Sequence, residues 1–100
     1  MRILFEDPKL LDLLQCKNPP QGYSIEVLRA FQKAIGIIKN AKDQRDIRAV
    51  KSFHLEKMDE YRDDRFSIRL KRKWRLFIRF ESDENGTLVV IIEMNNHYGD

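Results

Sequence analysis

Apolar residues change their period once along this chain. Between Leu10 and Ile38 they recur at helical spacing; from Phe53 onward they recur every second residue. Before the helical part, "RILFE" is short and apolar-rich and predicts a first strand, Arg2 to Glu6. Asp7 then supplies an N-cap and Pro8 suits the first helical position. Leu10, Leu11, Leu13 and Leu14 give the helix that follows an apolar stripe. "CKNPPQGY" breaks the pattern with proline and glycine. A second, longer helix starts after Ser24 and runs to about Asn40. Its positions Leu28, Phe31, Ile35 and Ile38 form one stripe, widened by Val27, Ala30, Ala34 and Ile37, as a helix packed on a core requires. "NAKDQRDIRAV" predicts a turn and a short helical piece.

The second half predicts strands. "FHLEKM" is a candidate strand and "DEYRDD" a polar connection. In "RFSIRL", Phe66, Ile68 and Leu70 fall on one face, and Arg65, Ser67, Arg69 and Lys71 on the other. In "WRLFIRFE", Trp74, Leu76, Ile78 and Phe80 point inward, and Arg75, Phe77, Arg79 and Glu81 outward. "SDENG" predicts a hairpin loop. "TLVVIIEM" is apolar until Glu93, as a central strand buried on both faces must be. Short turns imply antiparallel neighbours. The expected fold is therefore α+β: a small antiparallel sheet with the two N-terminal helices packed on one face, in one domain over residues 1–100.

Charge sharpens this picture. The segment from Arg62 to Arg79 holds eight of the 19 Lys and Arg residues against two acids, a net +6. Since the whole chain carries +3, the remainder carries −3. Concentrated positive charge on a slightly acidic body is the footprint of a polyanion binder. Arg69, Lys71, Arg75 and Arg79 are expected on the sheet face away from the helices, with Lys71, Arg72 and Lys73 in the hairpin turn. Like charges across a ladder repel, and an anionic ligand relieves them. The plainer alternative is that Glu56, Glu81 and Glu93 neutralise the cluster.

Other chemistries lack their residues. The chain has one cysteine, Cys16, so no internal disulfide forms, and its two histidines, His54 and His97, lie far apart in sequence. The four glycines are scattered rather than gathered in a phosphate loop. No cofactor is expected. The start "MRILFEDPK" has acids where a leader peptide needs an apolar run, and no stretch approaches a membrane span, which predicts a soluble cytoplasmic protein. What remains is an arginine-rich face with titratable neighbours: His54, Glu56, Lys57, Glu93, His97 and Tyr98. That set suits RNA cleavage by the adjacent 2′-hydroxyl. A base removes the 2′-OH proton, an acid protonates the departing 5′-oxygen, and arginines stabilise charge on the phosphorane-like transition state. Phe77 and Tyr98 are candidates for stacking on bases; Trp74 belongs by parity to the core.

At "SIRLKRKWRLFIRF", preceded by "LEKM" and followed by "VVIIEMNNHYGD", the sequence resembles the RelE/HigB superfamily of toxins from type II toxin–antitoxin modules, of the HigB-like plasmid-maintenance killer type. The resemblance runs over the whole chain; Ser67-Ile68-Arg69 and Trp74-Arg75 at this spacing are its specific part. It implies a RelE-like fold and a ribosome-dependent endoribonuclease, an mRNA interferase that cuts mRNA in the ribosomal A site. It also implies a cognate antitoxin as partner and a toxin–antitoxin complex that binds operator DNA. By position, Arg75 matches the arginine near the scissile phosphate, Arg69 the basic position of the S-I-R strand, and His97 the C-terminal histidine. Glu56 falls where some members carry a histidine, and Arg62 fits the arginine of the connection before the S-I-R strand. Glu60 and Asp64 stand where that connection commonly has glycines, and Asn95-Asn96-His97-Tyr98 replaces a frequent D-Y-H ending. The catalytic candidates are thus Arg75, His97, Tyr98, Arg69, Glu56, Lys57 and His54. The RNA-binding candidates are Arg62, Arg65, Arg69, Lys71, Arg72, Lys73 and Arg79. Related ParE-like toxins imply a different function, non-enzymatic inhibition of DNA gyrase. A catalytically degenerate RNA- or antitoxin-binding homologue is the third reading.

Overall fold

A computed structural model describes residues 1–96. The N-terminal half folds as its pattern predicts. Strand β1 (Arg2–Phe5) leads into helix α1 (Pro8–Leu13), capped by the Asp7 carboxylate, which accepts from the Lys9 N–H at 3.0 Å. Helix α2 (Ile25–Asn40) is capped by Ser24, whose hydroxyl accepts from the Val27 N–H at 3.1 Å. Each cap satisfies a backbone donor that the first helical turn leaves without a partner. Helix α3 (Gln44–Arg48) is the short helical piece expected between Asn40 and Val50.

Four further strands complete a five-stranded sheet: β2 (Glu56–Lys57), β3 (Phe66–Arg69), β4 (Arg75–Asp83) and β5 (Gly86–Asn95), in the order β1-β5-β4-β3-β2. The pairs β2–β3, β3–β4 and β4–β5 are antiparallel, as their short turns require. The purely antiparallel sheet expected from the sequence is corrected by β1, which lies parallel to β5, with Leu4 opposite Val90. The chain leaves β1 through the helices and returns only at the end, so no tight turn constrains that pair, and a parallel crossover results.

The main core fills the space between the helices and one sheet face. It joins Leu10 and Leu13 of α1, Val27, Leu28, Phe31, Ile35 and Ile38 of α2, and Ile47 of α3 to Ile68, Leu76, Ile78, Val89, Ile91 and Met94. Each such side chain, fully buried, contributes about 1.5–3 kcal/mol. Trp74 packs against this core with its ring 5.2 Å from that of Tyr23, in the structural role parity assigns it. The face away from the helices holds a second apolar cluster, Met58, Phe77, Val90 and Ile92, backed by Leu88. A face expected to be outward and basic is thus partly a core. Phe77 is 1% exposed and Ser67 2%, which removes Phe77 as a base-stacking platform.

A bulge sets what lies on that face. Phe77 pairs with Glu93 while Ile78 pairs with Ile91, so Ile92 is an extra residue in β5. Strict alternation would turn Glu93 toward the helices. The bulge instead returns Met94 to the main core and leaves Glu93 and Asn95 on the far face.

The strand expected over "FHLEKM" is mostly a different structure. Residues Lys51–Phe53 form a 3-10 turn with Phe53 buried. His54 closes it in the left-handed region at φ 45°, and only Glu56 and Lys57 enter the sheet.

Candidate nucleic-acid interface

Register sorts the far face into rows. The first row crosses Arg69, Arg75 and Asn95, the next Glu56, Ser67, Phe77 and Glu93, and a third Arg79 and Val90. Arg65, which immediately precedes β3, extends the third row beside Arg79. These rows divide the cations into two populations.

Arg65 and Arg79 are neutralised within the protein. Arg65 donates to both carboxylate oxygens of Asp63, at 2.8 Å from Nη2, and its guanidinium lies 4.2 Å from the Tyr61 ring centre and 5.5 Å from that of Phe77. Its Nη1 sits 3.4 Å from Glu93 Oε2. That contact is an attraction between charges, not an aligned hydrogen bond, because this buried nitrogen has no hydrogen-bond partner among the described residues. Glu93 also accepts from the Asn95 side-chain amide. Arg79 donates to Glu6 at 2.9 Å and to Glu81 at 2.6 Å, and its Nη1 is 3.8 Å from Asp63. Hydrogen bonding to Arg65 holds the Asp63 carboxyl below the usual carboxylate range. The Asp63 hydrogen bonds raise Arg65 further above its already high value, and those of Glu6 and then Glu81 do the same for Arg79. Neutralisation therefore holds for these two cations, with Asp63 and Glu6 joining Glu81 and Glu93. Arg65 and Arg79 thus both take part in ion pairs within the protein.

The β3–β4 hairpin tip is the second population. Arg69 and Arg75 face each other in register, with Lys71, Arg72 and Lys73 exposed in the turn between them. The turn is closed by the Leu70 N–H donating to the Trp74 carbonyl and the Trp74 N–H to the Lys71 carbonyl. Among the described residues no acid forms an ion pair with Arg69, Lys71 or Arg72. Arg75 is half-buried, and its Nη1 donates to the carbonyls of Arg72 and Trp74, both at 3.3 Å. Those bonds fold one edge of the guanidinium over the turn and restrict where the fork can point.

Arg72 holds φ 54°, a left-handed conformation that costs a non-glycine residue about 1–2 kcal/mol. A hairpin turn normally solves this with glycine or asparagine. Arg72→Gly should therefore raise stability by about 0.5–1 kcal/mol in urea unfolding. The same substitution should weaken RNA binding and lower its salt slope by about one. Unchanged affinity and slope in the variant remove Arg72 from the interface.

The remaining candidates separate. Glu56 shares the far face with Arg69, one row away on the neighbouring strand. Lys57 points to the opposite face by parity, with its ammonium 3.5 Å from Asp64. His54 is exposed at the 3-10 turn, outside the sheet, and Arg62 is exposed in the loop between β2 and β3. His97 and Tyr98 lie outside the described residues; β5 ends at Asn95, opposite Arg75. Among the described residues no group of His, Cys, Asp or Glu is placed to hold a metal ion, and no helix is long and apolar enough to cross a membrane. Sequence patterning missed Asp63, Glu6 and Asn95, whose roles depend on loop and bulge geometry. No protein-family model matches the chain, and no curated protein matches it.

Proposed function

We propose that this protein is a toxin of the RelE/HigB kind, a cytoplasmic endoribonuclease that cuts mRNA in the ribosomal A site, neutralised by a cognate antitoxin with which it binds operator DNA. The observation that carries the reading is the hairpin tip: Arg69, Lys71, Arg72, Lys73 and Arg75 lie within seven consecutive residues without an acid, with Arg69 and Arg75 opposite each other in register. A fold gains nothing from an array of like charges, and a phosphodiester backbone neutralises it.

Arg75 and Arg69 bind the non-bridging oxygens of the scissile phosphate as a two-armed clamp. The 2′-oxygen attacks phosphorus, the bond to the 5′-oxygen breaks, and a 2′,3′-cyclic phosphate and a 5′-hydroxyl result. Glu56 is a carboxylate on the same face as both arginines, one row from theirs, and it takes the 2′-OH proton. His97, with Tyr98 beside it in sequence, returns a proton to the leaving oxygen. Lys57, on the opposite face, and His54, outside the sheet, play no part in the chemistry.

The test is cell-free translation of a defined mRNA with purified protein. Cleavage in the codon occupying the A site, 2′,3′-cyclic phosphate ends, and intact RNA when ribosomes are omitted are expected. Uncut mRNA together with loss of gyrase supercoiling activity overturns the reading in favour of the ParE-like function. RNA or ribosome binding without cleavage overturns the catalytic part in favour of a degenerate homologue.

A further inference from the structure

Strand β1 is the last strand on its side of the sheet, so one of its edges meets no other strand among the described residues. The Glu6 N–H donates to the Ile91 carbonyl at 2.9 Å and carries the pairing with β5 one residue past Phe5. In a parallel ladder, alternate residues turn both of their backbone groups to the same side. Arg2, Leu4 and Glu6 therefore face β5 with theirs, and Ile3 and Phe5 turn their N–H and C=O groups to the open edge. Open edges are commonly blunted by a proline, a bulge or a charge. The stretch "RILF" has no proline, its register with β5 is unbroken, and its one charge stands at the start.

Apolar surface gathers along this edge on both sheet faces. Leu4, 55% exposed, lies on the far face opposite Val90, and Leu11 of α1, 49% exposed, lies on the helix side. They are the two most exposed large apolar side chains among the described residues. Leu11 also lines a groove of about 660 Å³ together with Ile3, Phe5, Leu14 and Ile35.

We propose that this edge pairs with the same edge of a second copy of the chain. The two β1 strands run antiparallel about a two-fold axis through Leu4, and the two sheets become one. The sequence of β1 selects this occupant, because it is complementary to itself in one register. Only Ile3 and Phe5 offer backbone groups outward, so odd residues must stand opposite odd residues. With Leu4 opposite Leu4 of the second copy, Ile3 falls opposite Phe5 and Phe5 opposite Ile3, each pair exchanging both of its backbone hydrogen bonds. Arg2 then falls opposite Glu6, and Glu6 opposite Arg2, so unlike charges flank the leucines on both sides. Within one chain Arg2 spends Nη1 and Nη2 on Asp83 and the Gly86 carbonyl, and Glu6 spends Oε2 on Arg79. Arg2 Nε and Glu6 Oε1 remain for the second copy. Sliding the strands by two residues sets Leu4 against Arg2 or against Glu6 and separates the unlike charges. Strand β5 lies between this edge and the β3–β4 hairpin, and the pairing does not rest on the RNA reading.

The strands are short, which puts the contact at the weak end of specific interfaces, with a dissociation constant of about 1–100 μM. Sedimentation velocity on the full chain, up to about 500 μM, reads it. Leu4→Lys sets two cations face to face on the axis, at a position that is exposed in the single chain. It should weaken the dimer at least about tenfold while circular dichroism melts stay near wild type. Leu4→Cys in a Cys16→Ser background reads the register. Directly opposite residues at a non-hydrogen-bonded position have Cα atoms about 4.5 Å apart, so a thiol oxidant such as diamide should link the two chains by a disulfide. Arg2→Cys in the same background stands about 13 Å from its copy and should not link. Wild-type protein that stays monomeric at about 500 μM overturns the proposal and leaves the edge to a strand of another protein. An unchanged dimer in folded Leu4→Lys overturns it too, and so does Arg2→Cys linking as readily as Leu4→Cys. The cysteine variants decide where Leu4→Lys does not fold.

Discussion

Arg75→Ala is expected to lower ribosome-dependent mRNA cleavage by about 10²–10³-fold, the loss typical of removing one donor aimed at developing charge in a transition state. The fold should survive. Arg75 is half-buried at the open end of the hairpin, and the two carbonyls its Nη1 serves belong to the turn itself. Water replaces those hydrogen bonds, so the melting temperature should fall by a few degrees at most. Arg75→Lys separates charge from geometry. It keeps the cation that attracts RNA but loses the planar fork, so affinity should recover more than rate. Arg79→Ala is the matched control four residues along the same strand and on the same face. Its guanidinium is committed to Glu6 and Glu81, so its removal should cost stability and leave cleavage near normal. Single-turnover cleavage on programmed ribosomes, with thermal melts of each variant, measures all of this. A folded Arg75→Ala protein that cuts at the wild-type rate sinks the assignment.

The contrast between Arg75 and Arg79 marks where sequence stopped being informative. Period two placed both on one face, and did so correctly; caps at Asp7 and Ser24, the helical stripe of α2 and the hairpin around Lys71 to Lys73 were equally legible, because each depends on neighbours in the chain. Pairing between the termini was not. Nothing local tells β1 to lie parallel to β5, and that pairing comes from packing the helices over one sheet face. The bulge at Ile92 was also hidden, since "VVIIEM" reads as uninterrupted apolar sequence. Yet it decides that Glu93 meets Arg65 and that Asn95 stands opposite Arg75. Of the candidate site, the residue types and the hairpin were readable. The engagement of Arg65 and Arg79 by internal acids was not, because Asp63 and Glu6 come from a loop and a strand end whose positions only the tertiary fold fixes.

Phe77→Ala should destabilise the protein by about 3–5 kcal/mol, although alternation puts Phe77 on the sheet face away from the helices. At 1% exposure it is the largest member of the second cluster, packed with Met58, Val90 and Ile92. Its ring centre lies 5.9 Å from that of Tyr61 and 5.5 Å from the Arg65 guanidinium. Truncation opens a cavity under the loop between β2 and β3 and removes one of the two rings against which Arg65 is held. For a domain of this size the loss is a large share of a total near 5–15 kcal/mol, and the melting temperature should drop by about 15–30 °C. Phe77→Leu refills most of the volume and should cost about 1–1.5 kcal/mol. If Phe77 instead stacked on a base, Phe77→Ala would leave the melt within about 1 kcal/mol of wild type and weaken RNA binding. Urea unfolding and RNA anisotropy on the same two variants decide between the two. A stable Phe77→Ala protein with impaired RNA binding would overturn the second core and return the aromatic to the interface.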